Sequence, residues 1–505
     1  MLAKVNSMAV VGLDSYLVEV EVDIGQGLPA LNIVGLPDTA VQESKERVRS
    51  AIRNSGANFP ISRITVNLAP ADIKKEGPAY DLPIAVGILV ADGQLPKEGF
   101  QKSIFVGELS LDGNLRHING ILPIVMSAKE KGFERVFLPE INAIEASLIE
   151  DIGIIPVQSL AQLILYIKNE KPIPVFKHDF DLQFTPYDSE FDFAYVKGQD
   201  SAKRALEIAA SGGHNILMNG PPGSGKTLLA KSFPSILPTL DKEEVLEVTK
   251  IYSIAGALPP DTPLITNRPF RNPHHTASHI ALVGGGTWPK PGEISLSHRG
   301  VLFLDEFAEF PRSVLEALRQ PLEDGLITVS RASGSLCFPA KFILMAAQNP
   351  CPCGYLGDLA KQCICTPTQI IRYQKKVSGP ILDRIDLHIE VGRVKFEELS
   401  KDKVAESSNL VRERVKKARG KQRKRFNGAK TNSEMSPKEI KEFCKIDNEC
   451  QELLKNAVNQ FHLSARVYHR ILKLARTIAD LADSSEIKSG HIAEALRYRP
   501  KENKY

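Results

Sequence analysis

The spacing of apolar and polar residues divides the chain into an α/β part and a helical C-terminal part. In the first 170 residues, segments with strand-like spacing alternate with segments with helix-like spacing. Residues 16–22 alternate with a period of two, as in a half-buried strand, and residues 82–91 form a mostly apolar helix. After about residue 396 the apolar positions recur every three to four residues, in 439–443, 452–458, 467–481 and 487–498. The pattern predicts an α/β fold that ends in a helical domain.

A stretch without periodicity separates the first two predicted domains. Residues 169–193 are rich in proline, aspartate and scattered aromatic residues. We therefore place domains at residues 1–170, 191–395 and 396–505, with a linker at 171–190. A chain of 505 residues has room for about three domains.

Composition points to a soluble protein of the cytoplasm. Hydrophobic residues make up 43% and charged residues 25% of the chain, as in ordinary globular proteins. No run of about 18 uncharged apolar residues is present, and the N-terminus lacks the apolar core of a signal peptide. Seven cysteines, an odd number, do not suit a secreted disulfide framework. We expect a cytoplasmic protein without a membrane partner.

The charge of the chain is unevenly distributed. The net charge is +4, but residues 391–505 alone carry 27 Lys and Arg against 16 Asp and Glu. The remaining residues are therefore net acidic. A basic terminal domain on an acidic chain indicates a polyanionic partner.

A phosphate-binding loop follows an apolar segment at residues 215–219 and precedes a helix-like segment at 228–231. Its sequence fits G-x-x-x-x-G-K-[ST]: Gly220-Pro221-Pro222-Gly223-Ser224-Gly225-Lys226-Thr227. Glycines let backbone N–H groups turn toward phosphate oxygens, Lys226 can reach the outer phosphates, and Thr227 can ligate Mg²⁺. The strand–loop–helix context predicts an ATP site.

A second motif completes this site. Four apolar residues at 301–304, typical of a buried parallel strand, end in Asp305 and Glu306. Asp305 can hold Mg²⁺, and Glu306 is placed to polarise the water that attacks the γ-phosphate. The two motifs together predict Mg²⁺-dependent ATP hydrolysis.

Four further stretches carry a resemblance to a known family. They lie at residues 269–278, 291–296, 315–325 and 475–481. With the two nucleotide motifs, they resemble the ComM/YifB proteins of the magnesium-chelatase-like group of AAA+ ATPases, over essentially the whole chain. The resemblance implies an N-terminal α+β domain of the Lon-protease-like (ribosomal S5 domain 2-like) fold, a central AAA+ P-loop α/β domain and a C-terminal helical lid.

The resemblance also assigns roles within the ATP site. Asn349 corresponds to sensor 1, Arg384 to the arginine finger acting on a neighbouring subunit's ATP, and Arg466 to sensor 2, while Gln199 joins the nucleotide-binding residues. The alternatives are a strand cap for Asn349, a salt bridge to Asp383 or Asp386 for Arg384, and a plain surface position for Arg466.

The long separation of 79 positions between Lys226 and Asp305 indicates an insertion, which the resemblance places in helix 2 of the module. Residues 326–338 read as a hairpin around a Ser-Gly turn. In related ring helicases both loops line the central pore, which makes Lys290 and Arg331 candidate DNA contacts. The alternative is a pair of surface loops with incidental charge. For His274 and His275 we expect hydrogen bonds within a loop rather than metal binding.

The N-terminal domain lacks the residues of a peptidase. By the same resemblance, Lon proteases carry a catalytic serine where this chain has Ala79, and a lysine in the region where it reads residues 119–123 without lysine. A serine–lysine mechanism needs both groups. We predict no protease activity.

Four cysteines follow closely after Asn349: Cys351, Cys353, Cys363 and Cys365. Four thiolates within fifteen residues suit a tetrahedral structural Zn²⁺, although C-x-C spacing is tighter than the common C-x₂-C. Free thiols or a redox pair are the alternatives.

A basic helix is predicted between residues 410 and 425, with nine cations in the fourteen residues 412–425. Arg419 and Arg423 are our candidate DNA contacts there, against the alternative of a solvated helix face. The resemblance implies a homo-hexameric motor on branched or single-stranded DNA that drives branch migration in homologous recombination and natural transformation, with recombination proteins as partners. The alternative is a chelatase-like ATPase that remodels a protein partner.

Overall fold

In a computed structural model, the chain forms two compact units. The first comprises Met1–Leu182 and Lys242–Ile265, and the second comprises Gln183–Asp241 and Thr266–Tyr505. The structure describes residues 2–177, 191–259, 264–286, 290–331, 334–358, 360–394, 406–461 and 463–500. Most of the predicted linker lies outside these ranges. The segment Lys242–Ile265, which interrupts the nucleotide-binding sequence, belongs to the first unit.

The first unit is built on a mixed sheet with the strand order β3–β4–β2–β1–β5–β8–β9. In β2, Val18, Val20 and Val22 are buried while their neighbours face outward, so the predicted alternation is confirmed. Strands β6 and β7 form a separate antiparallel ribbon. The strands are β1 (Leu2–Val11), β2 (Asp14–Gly25), β3 (Ala30–Val34), β4 (Arg63–Ala69), β5 (Ser103–Phe105), β6 (Glu108–Leu109), β7 (Leu115–Arg116), β8 (Arg135–Pro139) and β9 (Gly153–Val157).

The helices of the first unit are α1 (Thr39–Asn54), α2 (Asp81–Ala91), α3 (Ile121–Glu130), α4 (Ala143–Ala146), α5 (Leu160–Ile167) and, from the later segment, α8 (Lys242–Ala255). Asp38 caps α1 by accepting a hydrogen bond from the N–H of Val41 at 2.8 Å. The residues of α2 are buried throughout, as an apolar helix must be. Helix α8 is fixed by Ser253, whose hydroxyl donates to Glu145 at 2.5 Å.

The second unit contains a parallel sheet with the strand order β11–β14–β17–β10–β18. Its strands are β10 (Ile216–Asn219), β11 (Phe270–Arg271), β14 (Val301–Leu304), β17 (Ile343–Gln348) and β18 (Leu387–Glu390). Strand β17 lies between β10 and β14, so the loops that follow these three strands meet at one edge of the sheet. Ligands of parallel α/β sheets bind at this edge.

Helices surround this sheet and continue into the C-terminal region. They are α6 (Asp200–Gly212), α7 (Lys226–Ser232), α9 (His279–Val283), α10 (Glu293–Leu296), α11 (Arg312–Ala317), α12 (Arg319–Asp324), α13 (Pro367–Gln374), α14 (Gly379–Leu382), α15 (Ser408–Phe426), α16 (Pro437–Phe443), α17 (Asn448–Phe461), α18 (Ala465–Leu481) and α19 (Ser489–Arg497). Apolar residues of α15 and α18 share one core with the strands of the sheet. The predicted helical C-terminal region is therefore confirmed, and it is packed onto the nucleotide-binding sheet.

The second unit also contains two antiparallel ribbons. One pairs β12 (Gly284–Gly285) with β13 (Lys290–Pro291), and the other pairs β15 (Leu326–Arg331) with β16 (Gly334–Pro339). The second is the hairpin that the sequence predicted, and its turn residues 332 and 333 lie outside the described ranges.

Candidate active site

The phosphate loop joins the end of β10 to the start of α7. Its backbone takes left-handed conformations at Gly223, with φ of 75°, and at Gly225, with φ of 89°. A side chain at Gly220 would place its Cβ 2.1 Å from the carbonyl oxygen of Val391. Glycine is therefore required for a turn at two positions and for a close approach at the third.

Lys226 is the first residue of α7, and its side chain folds back over the loop. Its ammonium donates hydrogen bonds to the carbonyl oxygens of Gly220 at 2.7 Å and Pro221 at 2.9 Å, and to Oδ1 of Asn349 at 3.2 Å. Burial lowers the pKa of this ammonium. Asn349 follows β17, so the predicted sensor residue lies against the predicted phosphate-binding lysine.

The two predicted Mg²⁺ ligands are in direct contact. The hydroxyl of Thr227 donates to Oδ2 of Asp305 at 2.8 Å. Both groups offer the hard oxygen ligands that Mg²⁺ prefers, and waters or phosphate oxygens would supply the rest of an octahedral shell. The donor set therefore fits Mg²⁺ bound beside the phosphate loop.

Glu306 has a partner that the sequence did not predict. Nδ1 of His275 lies 2.9 Å from Oε2 of Glu306, and Glu306 has a left-handed backbone with φ of 53°. Nδ1 of His274 lies 2.8 Å from the hydroxyl of Thr276. The hydrogen bond within the loop that the sequence led us to expect is found for His274, whereas His275 contacts Glu306 on the loop after β14. Residues 272–276 follow β11, the parallel neighbour of β14, but a strand of two residues carries no sequence signal that would have shown this pairing.

These residues surround one cavity of 670 Å³ at the edge of the sheet. The residues that line it are Pro222, Gly223, Ser224, Gly225, Lys226, Thr227, Leu228, Asn272, Pro273, His274, His275, Asp305, Glu306, Gln348 and Asn349. Lys226 is the one lysine among them, and no arginine is included. A cavity lined by the loop, an acidic pair and an amide can accept a triphosphate with its metal.

The two predicted arginines meet away from this cavity. Arg384, just after α14, pairs with Glu323 and also donates to the carbonyl oxygen of Pro380 at 2.6 Å. Arg466, at the start of α18, lies 3.3 Å from the other oxygen of Glu323. The alternative pairing of Arg384 with Asp383 or Asp386 is not what the structure has.

Gln199 lies behind the phosphate loop rather than in the cavity. Its amide donates to the carbonyl oxygens of Gly392 at 2.5 Å and Ser224 at 3.3 Å. It can therefore fix the loop from outside without lining the nucleotide cavity.

The candidate DNA contacts are dispersed. Lys290 is exposed on β13, and Arg331 ends β15, with its side chain outside what the structure describes. Arg419 donates twice to the carbonyl oxygen of Ala210, at 3.0 and 2.9 Å, and Arg423 pairs with Asp241. The guanidinium of Arg419 is thus used inside the unit, because α15 packs against α6.

In the first unit, Ala79 lies in the turn before α2, and residues 121–123 open α3. In the same unit, Lys74 pairs with Glu76, whereas the side chain of Lys75 is buried and its ammonium donates to the carbonyl oxygen of Pro70. The pair does not present two ammonium groups side by side.

The four clustered cysteines come together as predicted. One ligand atom from each of Cys351, Cys353, Cys363 and Cys365 lies within 4.8 Å of the others.

Among the described helices, none combines the length and apolar character needed to cross a membrane.

Comparisons with known proteins match nearly the whole chain. Family models described as "Magnesium chelatase, subunit ChlI", "Subunit ChlI of Mg-chelatase" and "Magnesium chelatase, subunit ChlI C-terminal" match residues 192–399, 20–142 and 405–499.

Full-length relatives agree with the family models. The competence protein ComM of Haemophilus influenzae is 43% identical over 99% of this chain and 97% of its own length. The uncharacterized protein YifB of Escherichia coli is 44% identical, with the same coverage. Lon protease 2 of Bacillus subtilis is 28% identical over 32% of each chain. The fold and these matches show that the chain belongs to the ComM/YifB family of magnesium-chelatase-like AAA+ ATPases.

Proposed function

We propose that this protein is a ring-forming motor that uses Mg²⁺-bound ATP to act on DNA, with branch migration as its reaction. The observation that carries the proposal is the division of the catalytic groups. Lys226, Thr227, Asp305, Glu306 and Asn349 gather around one cavity, whereas the two predicted arginines lie together on Glu323.

Within one chain, the residues of the cavity would perform binding and water activation. Lys226 exchanges its hydrogen bonds to the carbonyls of Gly220 and Pro221 for phosphate oxygens, which are stronger partners because they are charged. Thr227 and Asp305 would hold Mg²⁺, which neutralises charge on the transferring phosphoryl group. Glu306 orients the attacking water, and Asn349 fixes Lys226 and the water from the side of β17.

The arginines would serve the next subunit. Phosphoryl transfer gains about 10³–10⁵ in rate when an arginine neutralises the developing charge, and no arginine is among the described residues that line the cavity. Arg384 and Arg466 are both anchored by Glu323, so one carboxylate can present the two cations together. A closed ring, which we propose to be a homo-hexamer, supplies them to every site.

DNA is the proposed substrate because of the name of one relative and because of the exposed positive charge on α15 and β13. The Haemophilus influenzae relative is named competence protein ComM. Lys416, Lys417 and Lys424 are exposed along α15, and Lys290 is exposed on β13. These exposed lysines can face phosphates, whereas the guanidinium of Arg419 is used inside the unit, and their contacts would be independent of base sequence. Recombination proteins are the proposed partners, in the cytoplasm.

A second function is favoured by the family models, which bear the name of a magnesium chelatase subunit. In that function the same ATPase cycle would remodel a protein partner. It predicts no effect of DNA on hydrolysis.

The rate of ATP hydrolysis with and without a four-way junction distinguishes the two functions. We expect stimulation of about tenfold or more at low salt, abolished in Lys226→Ala. Glu306→Gln should bind ATP and DNA but hydrolyse ATP at least about 10²-fold more slowly. Glutamine keeps the shape of the side chain but lacks the carboxylate that acts on the attacking water. Unchanged hydrolysis on adding junction or single-stranded DNA would favour the protein-remodelling function.

A further inference from the structure

The four cysteines that follow β17 form a compact group of sulfur atoms. The Sγ atoms of Cys351 and Cys353 are 3.4 Å apart, those of Cys351 and Cys363 are 3.7 Å apart, and those of Cys353 and Cys363 are 3.6 Å apart. Cys351 is buried and the others are half-buried. The two C-x-C pairs come from opposite ends of one loop, which therefore closes on itself.

These separations match one tetrahedrally coordinated ion. With a Zn–S bond of about 2.3 Å, the edge of a regular ZnS₄ tetrahedron is about 3.8 Å. The three measured separations lie within 0.4 Å of that edge, and every ligand atom is within 4.8 Å of the others. Such a group has space for one ion at its centre and not for a multi-iron cluster.

The surroundings suit deprotonated sulfur. The N–H of Cys353 donates to Sγ of Cys365, and the N–H of Cys365 donates to Sγ of Cys363, both at 3.4 Å. Backbone N–H groups directed at sulfur stabilise the net negative charge of a tetrathiolate site. A disulfide needs sulfurs about 2.05 Å apart, far closer than any of these pairs.

The loop lies against the nucleotide site. Cys351 comes two residues after Asn349, and a Cβ on Gly354 would lie 2.6 Å from Cδ of Pro222 in the phosphate loop. Thr366, next to Cys365, caps α13. An ion bound at the cluster would therefore stabilise the loop that supports both the phosphate loop and Asn349.

We infer that Cys351, Cys353, Cys363 and Cys365 bind one Zn²⁺ ion that secures this loop beneath the ATP site. The site supplies no group to the reaction. The effect of zinc on ATP hydrolysis rests on the proposed function, whereas the binding of zinc by the four cysteines does not.

Metal content and thiol counting test the inference directly. Protein purified without chelators should contain one zinc ion per chain, measured by inductively coupled plasma mass spectrometry. In the native state Cys337, which is exposed, should be the one thiol that reacts with a disulfide reagent. After zinc is withdrawn with an excess of a strong chelator, five thiols should react, and the buried Cys444 and Cys450 should follow on denaturation. Exchange with Co²⁺ should give the visible spectrum of a tetrahedral thiolate site.

Matched variants separate loss of metal from loss of fold. Cys337→Ser should keep its full zinc content. Cys365→Ser should lower zinc affinity at least tenfold, and Cys365→His should restore much of it because imidazole is also a zinc ligand. Withdrawal of zinc should lower ATP hydrolysis at least threefold.

Three outcomes would overturn the inference. The first is that untreated native protein contains no metal and shows five reactive thiols. The second is a disulfide within the cluster, and the third is stoichiometric iron in place of zinc. If zinc is present but its withdrawal leaves hydrolysis and DNA stimulation intact, the supporting role fails while the metal site stands. If zinc is present and hydrolysis is absent in all forms, it is the proposed function that fails.

Discussion

Subunits with complementary defects should restore each other's ATP sites. Lys226→Ala removes the ammonium that contacts the phosphate loop, and Arg384→Ala removes the guanidinium that is paired with Glu323. Each variant alone should hydrolyse ATP at least about 10³-fold more slowly, which corresponds to about 4 kcal/mol of transition-state stabilisation. The two lost groups belong to different subunits of one shared site, so a mixed ring contains some intact sites.

The expected recovery follows from the geometry of a ring. A working site needs an intact Lys226 from one chain and an intact Arg384 from the next. In a random ring of equal parts, about one quarter of the interfaces meet both conditions, so the rate should approach a quarter of the wild-type rate if sites act independently. Sequential firing around the ring would lower that fraction but not to zero.

The assay is steady-state ATP hydrolysis at constant total protein after the two variants are mixed and allowed to exchange subunits. The double variant Lys226→Ala, Arg384→Ala, mixed with wild type, provides the control for dilution. Arg312→Ala is the matched control, because Arg312 is an exposed arginine whose distance to Glu316 is 3.9 Å, and it should stay within about twofold of wild type. A mixed rate no greater than the sum of the two single variants would refute the shared site, as would full activity of Arg384→Ala.

Three further predictions concern other parts of the chain. His275→Ala should lower kcat for ATP about tenfold with little change in KM, because Glu306 loses the imidazole that orients it, and single-turnover hydrolysis measures this. Burial raises the pKa of Glu145 to about 7 from its ordinary 4.5, so the folded chain keeps a proton that the unfolded chain has lost, and stability falls as the pH rises between these values. Glu145→Gln should therefore raise amide-exchange protection in α3 and α8 by roughly 2–3 kcal/mol at pH 8 and leave it unchanged at pH 4.5. Equal protection of the wild-type protein and the variant at pH 8 would contradict the raised pKa. Lys416→Ala with Lys417→Ala should lower the slope of log affinity against log salt for single-stranded DNA by about 1–1.5, measured by fluorescence anisotropy, whereas an unchanged slope would remove α15 from the DNA surface.

Much of the nucleotide site could be predicted from the sequence because its geometry is local. The residues from Gly220 to Thr227 determine a turn between a strand and a helix, and their order needs no long-range information. Asp305 ends a run of four buried residues that can only be a central strand. Parallel pairing with β17 then brings both motifs to one edge, since the carboxyl ends of parallel strands share that edge.

What the sequence could not provide depends on tertiary contacts. The pairing of His275 with Glu306 arises because β11 lies next to β14, and the residue pattern of a two-residue strand is too short to predict its neighbour. Helix α8 carries no signal that it belongs to the first unit. The cations of α15 look alike in sequence, but Arg419 contacts Ala210 whereas Lys416 is exposed, a difference fixed by the packing of α15 against α6.

The measurement closest to the central claim is branch migration of a synthetic four-way junction with mobile arms. The wild-type protein should convert the junction into two duplexes only when ATP and Mg²⁺ are both present, while Lys226→Ala and Glu306→Gln should bind the junction without converting it. Conversion by Lys226→Ala at the wild-type rate, or no conversion by a wild-type ring that hydrolyses ATP on the junction, would contradict the account.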